Sequence, residues 1–518
     1  MNLLINNLLR VQTAKRLTWM NLPALLAALG RDEVDSLPGL QRHQEDAFHV
    51  FLCYLAASVL ARQGDNDPLQ SEDYWRDGLR ALAEGNDDAW SLVVEDLSQP
   101  AFMQPPLPKS DHGRLKLQAE TPDELDLLPT AKNHDLKQAR AFLPELDEWI
   151  YALVSLQTMS GYFGRGNPGI SRMNSGFGNR PVVEIVHNRR IGHRWRDAVQ
   201  RLFPHRTETL ASPWGYDPTG LVLVWLREWD GKTGLDLKTL DPFYLEICRR
   251  VRLGYLNEDT IYGMCITTDQ PRIAAKELKG HVGDAWLPID LANKKGEAAL
   301  TVGPTGITSE LLRRILFHDS LKLTELHQPI PERPGDVWLL VSVLVRGQGT
   351  TDGFCEKWIP IPHTFRRRLF GPPERRQPLA ALAKTAIEFA GQMQNRVLKP
   401  AVFAYLEGSP EKIQFDRDSA QDWWEKSQRR FNTLWSDDYF PWLWSVPEDF
   451  DEDSAHREWI ERLRDHAFDV LNETREAMPA HSGRRWRSRT QAEGRFWGAL
   501  YHHFPQLKEN RHDTAAGL

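Results

Sequence analysis

The chain has 518 residues, 41% of them hydrophobic, an ordinary share for a soluble globular protein. That length exceeds what one core organises and implies two or three domains. A formal net charge of −7 argues against a protein that coats nucleic acid nonspecifically. It leaves room for local basic sites, since screening confines each patch to about 10 Å.

The opening MNLLINNLLRVQ lacks the charged flank and small-residue cleavage site of a signal peptide, so a cytoplasmic protein is expected. NLLINNLLRV and RLTWMNL read as an opening hairpin. The apolar run Ala47–Ala61 is about 15 residues, short of the ~20 a membrane span needs. It follows the charged QRHQED and predicts a buried helix from about Gln44 to Arg62, with no membrane contact. A second helix is expected from after Ser71 to Gly85, whose glycine suits a C-terminal stop, and a third over LPELDEWIYALVSLQTMS, ending at Gly161. Two long irregular segments, Gln104–Arg140 and Gly161–Pro181, are of a length that compact domains keep for function or leave disordered. Short β-type runs follow: PVVEIVH, GLVLVWLREW, MCITT and AALTV, then DVWLLVSVLV paired with FCEKWIPIP. Strands beside helices indicate an α+β domain over 1–365. The Arg- and Pro-rich FRRRLFGPPERRQP marks a boundary. Four helical patterns come after it, roughly Leu379–Tyr405, Ala420–Trp435, Ser454–Met478 and Ser488–Phe504, predicting a four-helix bundle over 366–518.

Recognisable catalytic motifs are missing. The sequence has no P-loop, no G-x-G-x-x-G after a strand, no G-x-S-x-G and no H-E-x-x-H. HNRRIGHRW (His187–Trp195) superficially looks like an H-N-H nuclease but lacks a supporting ligand set, and an exposed basic loop is the plainer expectation. His318, Asp319 and His327 fall at a helix end and its loop. Cys53, Cys248, Cys265 and Cys355 are scattered without a C-x-x-C pair, which argues against a zinc knuckle or a disulfide framework. The 19 tryptophans suit cores and subunit contacts. No enzyme, no cofactor and no metal are expected.

The stretch VLVRGQGTTDGF (Val343–Phe354) is unusual, because a simple turn needs one Gly or Asn and this one has Gly347, Gly349 and Gly353. Gln348 has no apolar body to bury and is expected to point outward from the tip. Basic stretches add to this: Arg366, Arg367 and Arg368 at the boundary, and Arg484, Arg485, Arg487, Arg489 and Arg495 against the single Glu493 in GRRWRSRTQAEGRF. Such arginine density suits phosphate tracking, with a salt-bridged surface or a subunit interface as the alternative.

Taken in order, these landmarks resemble the CasA family, the large subunits of the type I-E CRISPR surveillance complex called Cascade. The resemblance rests on the opening NLL strand, LQRHQEDAFHVFLCYLAA, AFMQPP, TAKNHD, GYFGRGNPG, DPFYLEICRRVRL, RIAAKELKGHVGDAWLPI, the RGQG hairpin and the C-terminal bundle. It implies a non-catalytic subunit that recognises the PAM, a short motif beside the target, in double-stranded DNA. Such a subunit begins unwinding so the guide RNA can pair, forming an R-loop, and helps recruit a helicase-nuclease in antiviral defence. The implied partners are other Cascade subunits, the CRISPR guide RNA, target DNA and that nuclease. By the same resemblance Gln348 is a wedge at the first base step, with Gly347, Gly349 and the cation Arg346 around it. Lys276 or Lys279 enters the minor groove. Gly161, Gly164, Arg165, Gly166 and Asn167 form a glycine loop pressed on that groove, although Phe163 and Arg165 interrupt the family's more continuous glycine run. Lys132, Asn133 and His134 meet the guide-RNA end. The rival expectations are an interaction scaffold without PAM reading and a metal nuclease built on the histidines.

Overall fold

The computed structural model describes residues 1–126, 144–174, 178–256, 260–346, 351–407, 415, 418–478 and 482–508. The expected wedge residues Gly347, Gln348 and Gly349 and the guide-end residues Lys132, Asn133 and His134 lie outside these, as do the side chains of Arg346 and Arg484. Among the described residues no helix is long and apolar enough to cross a membrane. The chain forms two compact units: Met1–Ile307 with Ser320–Pro360, and Thr308–Asp319 with Ile361–Leu518. The break thus falls a few residues before Arg366, and the second unit also takes in a short segment from ahead of the hairpin.

In the first unit the expected opening hairpin pairs Leu9–Gln12 with Leu17–Met20. A helix absent from the sequence expectation follows at once, Leu22–Gly30, capped by Asn21, whose side chain accepts from the Ala24 amide at 2.8 Å. The central helix, Glu45–Gln63, opens on two acidic residues and stops at Gly64 in the left-handed region (φ 72°). Residues 46–60 are all buried, so the run is apolar all round because every face meets the core. Glu72–Leu82 carries Ser71 as its cap, and Leu146–Met159 opens on a reciprocal Glu145/Glu148 capping box.

The Val182–Val186 strand pairs antiparallel with Val337–Arg346, from Trp338 opposite Val186 to Ser342 opposite Val182. Thr351–Ile361 lies on the other side of Val337–Arg346 in the same sheet, so the strands flanking the RGQG stretch are neighbours. Glu184 is fully buried in the Val182–Val186 strand. Burial raises its pKa, but Arg194, His49 and Arg201 outweigh burial and hold it well below the usual carboxylate range. Arg194 binds both Glu184 (3.0 Å) and Asp46 (2.8 Å), tying helix and sheet together. Trp75, Trp90, Trp149, Trp195, Trp225, Trp229 and Trp286 are fully buried, placing many of the tryptophans in this core.

One expectation is corrected here. HNRRIGHRW is no exposed loop beyond its first residues, for Ile191–Leu210 is a helix, with Trp195 buried and Pro204 inside it. His187 Nε2 accepts from the Ile330 amide at 2.8 Å, and His193 faces Asp32 at 3.3 Å. Among the described residues no group of His, Cys, Asp and Glu is arranged to hold a metal.

In the second unit, His363–Phe370 precedes one long helical run: Pro373–Gln392, a π turn Met393–Leu398, and Lys399–Glu407. Asp418–Leu443, Glu452–Ala477 and Ser482–His503 complete the bundle. Its core contains Trp442 stacked on Trp459 (4.6 Å) and Tyr439, whose hydroxyl donates to the Ala383 carbonyl at 2.9 Å.

Candidate nucleic-acid interface

A three-stranded sheet, Lys116–Ala119, Ile261–Ile266 and Arg250–Tyr255, positions the glycine loop in the first unit. The loop leaves the Leu146–Met159 helix and folds on itself. The Phe163 amide donates to the Asn167 carbonyl (2.9 Å), Asn167 to Gly164 (3.1 Å), and Ile170 to Ser160 (3.0 Å). Gly164 and Gly166 have φ of 79° and 85°, where side chains are strained. The Thr268 amide, just past the sheet edge, donates to the Gly166 carbonyl at 2.8 Å. A Cβ on Gly166 would lie 2.8 Å from Thr267 Cβ, so the loop is pinned where only glycine fits.

Two buried groups absent from the sequence expectation hold the loop from beneath. Arg249 donates to the carbonyls of Gly161 (2.9 Å), Cys248 (3.0 Å) and Pro168. Glu246 accepts from the Ser171 amide (2.6 Å) and hydroxyl (2.9 Å). Burial drives its carboxyl up to about 7, against the opposing pull of Ser171 and Arg172. Both groups sit in DPFYLEICRRVRL, but their roles depend on contacts more than 70 positions away in sequence.

The loop borders two hollows. One of about 310 Å³ is lined by Tyr162, Pro168 and Gly169 from the loop and by Gln270, Ile273 and Lys276 from the facing segment. The other, about 490 Å³, is lined by Phe163 and Asn167 together with Lys116, Gln118, Arg249 and Arg250. Arg165 projects exposed from the loop, with no partner among the described residues.

The structure separates the two candidate lysines. Lys276 is exposed in a short 3-10 turn, without a partner among the described residues. Lys279 is the C-cap of that turn, in the left-handed region (φ 49°), and its ammonium donates to the Lys295 carbonyl. Only Lys276 lines the hollow that the glycine loop shares.

The arginines divide as well. Arg367, Arg485, Arg487 and Arg489 are exposed, Arg489 lying 3.5 Å from Glu493, and Arg366 is half-buried. Arg368 is a correction to the expected backbone contacts: it is buried, donates to the Val446 carbonyl at 2.8 Å and stacks over Phe365. A guanidinium held inside the bundle cannot reach a phosphate. Trp486, between Arg485 and Arg487, is 77% exposed.

No family model and no curated protein matches the sequence. Solved structures do match in fold. Thermus thermophilus CasA superposes with a TM-score of 0.59 at 16% identity, over 96% of this chain and 100% of that one. The CRISPR-associated protein Cse1 of Acidimicrobium ferrooxidans gives 0.58 at 16% identity, over 97% and 98%. Thermobifida fusca Cse1 gives 0.59 at 15%, over 98% and 99%. This chain therefore has the CasA/Cse1 fold from end to end, with its mixed first unit and C-terminal helical bundle.

Proposed function

We propose that the chain is the large, non-catalytic subunit of a type I-E Cascade complex, reading the PAM in double-stranded DNA and starting strand separation for the guide RNA. One observation carries the reading: the glycine loop and Lys276, unpaired among the described residues, line the same 310 Å³ hollow. The minor groove displays only acceptors on A·T pairs, so a lysine donor beside a close-approaching backbone suits its degenerate code. Lys276 is the groove lysine in this reading, because the Lys279 ammonium is already engaged by Lys295. Arg165 adds a cation at the phosphate edge.

Strand opening falls to Gln348, which lies outside the described residues. DNA stacking averages about 1.4 kcal/mol per step, more than one inserted amide returns. The duplex must therefore be held by phosphate contacts, for which Arg346, Arg366, Arg367, Arg484, Arg485, Arg487 and Arg489 are the candidates, Arg368 now excluded. Lys132, Asn133 and His134 would meet the guide-RNA end. The partners are the other Cascade subunits, guide RNA, target DNA and a separate helicase-nuclease that does the cutting.

The test uses the assembled complex loaded with guide RNA. In a mobility-shift assay with PAM-bearing duplex, Lys276→Ala weakens binding at least tenfold and Lys279→Ala leaves it near the parent. Gln348→Ala retains duplex binding but loses opening, read by 2-aminopurine fluorescence beside the PAM. Full opening by both Lys276→Ala and Gln348→Ala would reduce the chain to a scaffold.

A further inference from the structure

The 490 Å³ hollow has features that PAM reading in the duplex does not require. Its wall contains Arg249, which is 8% exposed and whose guanidinium, among the described residues, hydrogen-bonds only to the neutral carbonyls of Gly161, Pro168 and Cys248. No carboxylate pairs with it among the described residues. A buried cation without a counter-charge is destabilising unless an anion approaches it. Arg250, also buried in that wall, differs in having Asp111 as its partner. Lys116 stands exposed at the rim with no partner among the described residues. Among the described residues the one carboxylate lining the hollow is Asp126, already engaged by His43 (2.7 Å) and Ser155 (3.0 Å). The site is thus electropositive.

The remaining lining is equally specific in kind. Phe163 offers a half-buried aromatic surface, and the side chains of Gln118 and Asn167 offer amide donors and acceptors. An aromatic plane, two amides and uncompensated cations together match what single-stranded recognition requires: stacking for the base, hydrogen bonds for its edge and charge for its phosphate. A volume of about 490 Å³ is that of a small-ligand site and too small for a duplex.

We propose that this hollow is a binding site for one unstacked nucleotide of a single strand, its base on Phe163 and its phosphate toward Lys116 and Arg249. It goes beyond duplex reading at Lys276 and rests on the nucleic-acid assignment only for its physiological source, RNA or DNA.

The experiment uses the purified full chain and fluorescein-labelled rU8, dT8 and a 20-base-pair duplex, followed by fluorescence anisotropy across salt. Phe163→Ala should weaken single-strand binding about tenfold and the duplex by less, as loss of base–aromatic stacking requires. Lys116→Glu, at an exposed position that spares the fold, should weaken it at least fivefold and lower the salt slope by about one. Tighter binding of rU8 than dT8 assigns the site to RNA, and the reverse assigns it to displaced DNA. Parent-like binding of both strands by both variants overturns the site, as does an equal loss for strand and duplex. The Lys276→Ala assay on the assembled complex reads a different hollow, so either assignment can fail alone.

Discussion

Gly164 and Gly166 are two residues apart, both in the left-handed region, yet their surroundings differ. With φ of 79° and 85°, alanine at either position costs about 1–2 kcal/mol in backbone strain. Nothing lies within 4 Å of a Cβ on Gly164. On Gly166 that Cβ would sit 2.8 Å from Thr267 Cβ and 3.0 Å from Cγ2, and overpacking of this kind adds roughly 1–3 kcal/mol. Gly164→Ala should therefore loosen the loop by about 1 kcal/mol and Gly166→Ala by about 3 kcal/mol. The reporter is the Thr268 amide, which donates to the Gly166 carbonyl and exchanges with solvent when the loop opens. Native-state hydrogen exchange should accelerate about fivefold in Gly164→Ala and about two orders of magnitude in Gly166→Ala. Equal acceleration, or a larger effect at Gly164, would refute the claim that Thr267 pins the loop. PAM-dependent binding should fall in the same order.

Glu246, driven by burial to about 7 from an ordinary 4.5, keeps its proton longer in the folded chain than in the unfolded one. Its contribution is fully present below pH 4.5 and lost as pH rises through 7, a swing of about 3 kcal/mol; Glu246→Gln should flatten urea midpoints across that window. Arg368→Ala, removing a buried donor from Val446 and a cation from the Phe365 ring, should destabilise the second unit by about 2 kcal/mol in thermal denaturation. Arg367→Ala, at an exposed position, should leave stability unchanged. Reversing Arg485 and Arg487 to Glu in the assembled complex should lower the salt slope of DNA affinity by about two, and an unaltered slope would assign them to a protein partner.

Much of the fold could be read from pattern because local signals agreed with tertiary structure. Ser71, the Glu145/Glu148 pair and Gly64 mark helix ends by chemistry that acts within a few residues. The misreadings arose where local signals and packing disagree. Gly192 and Pro204 obscure the Ile191–Leu210 helix, yet Gly192 is where a Cβ would meet the Leu29 carbonyl at 2.8 Å, so glycine there serves helix packing. The helix expected over Ala420–Trp435 continues through Pro441 to Leu443. The boundary arginines look alike in sequence, and only packing reveals that Arg368 turns inward while Arg367 turns out.

The site shows the same limit at finer scale. Residue type alone left Lys276 and Lys279 equivalent, three positions apart on one basic turn. What distinguishes them is the left-handed backbone at Lys279, which ends the turn and brings its ammonium to the Lys295 carbonyl. Arg249 is subtler still, since an arginine in a strand-rich run reads as surface charge. In the fold its donors go to the Gly161, Cys248 and Pro168 carbonyls, so it shapes the loop that borders both hollows while itself lining the wall of the 490 Å³ one. With three of its five N–H donors committed to the loop, Arg249 attracts an anion mainly through its field. The direct contacts must come from Lys116 and the two amides, which is why charge at the rim, and not in the wall, is where a single substitution separates binding from loop architecture.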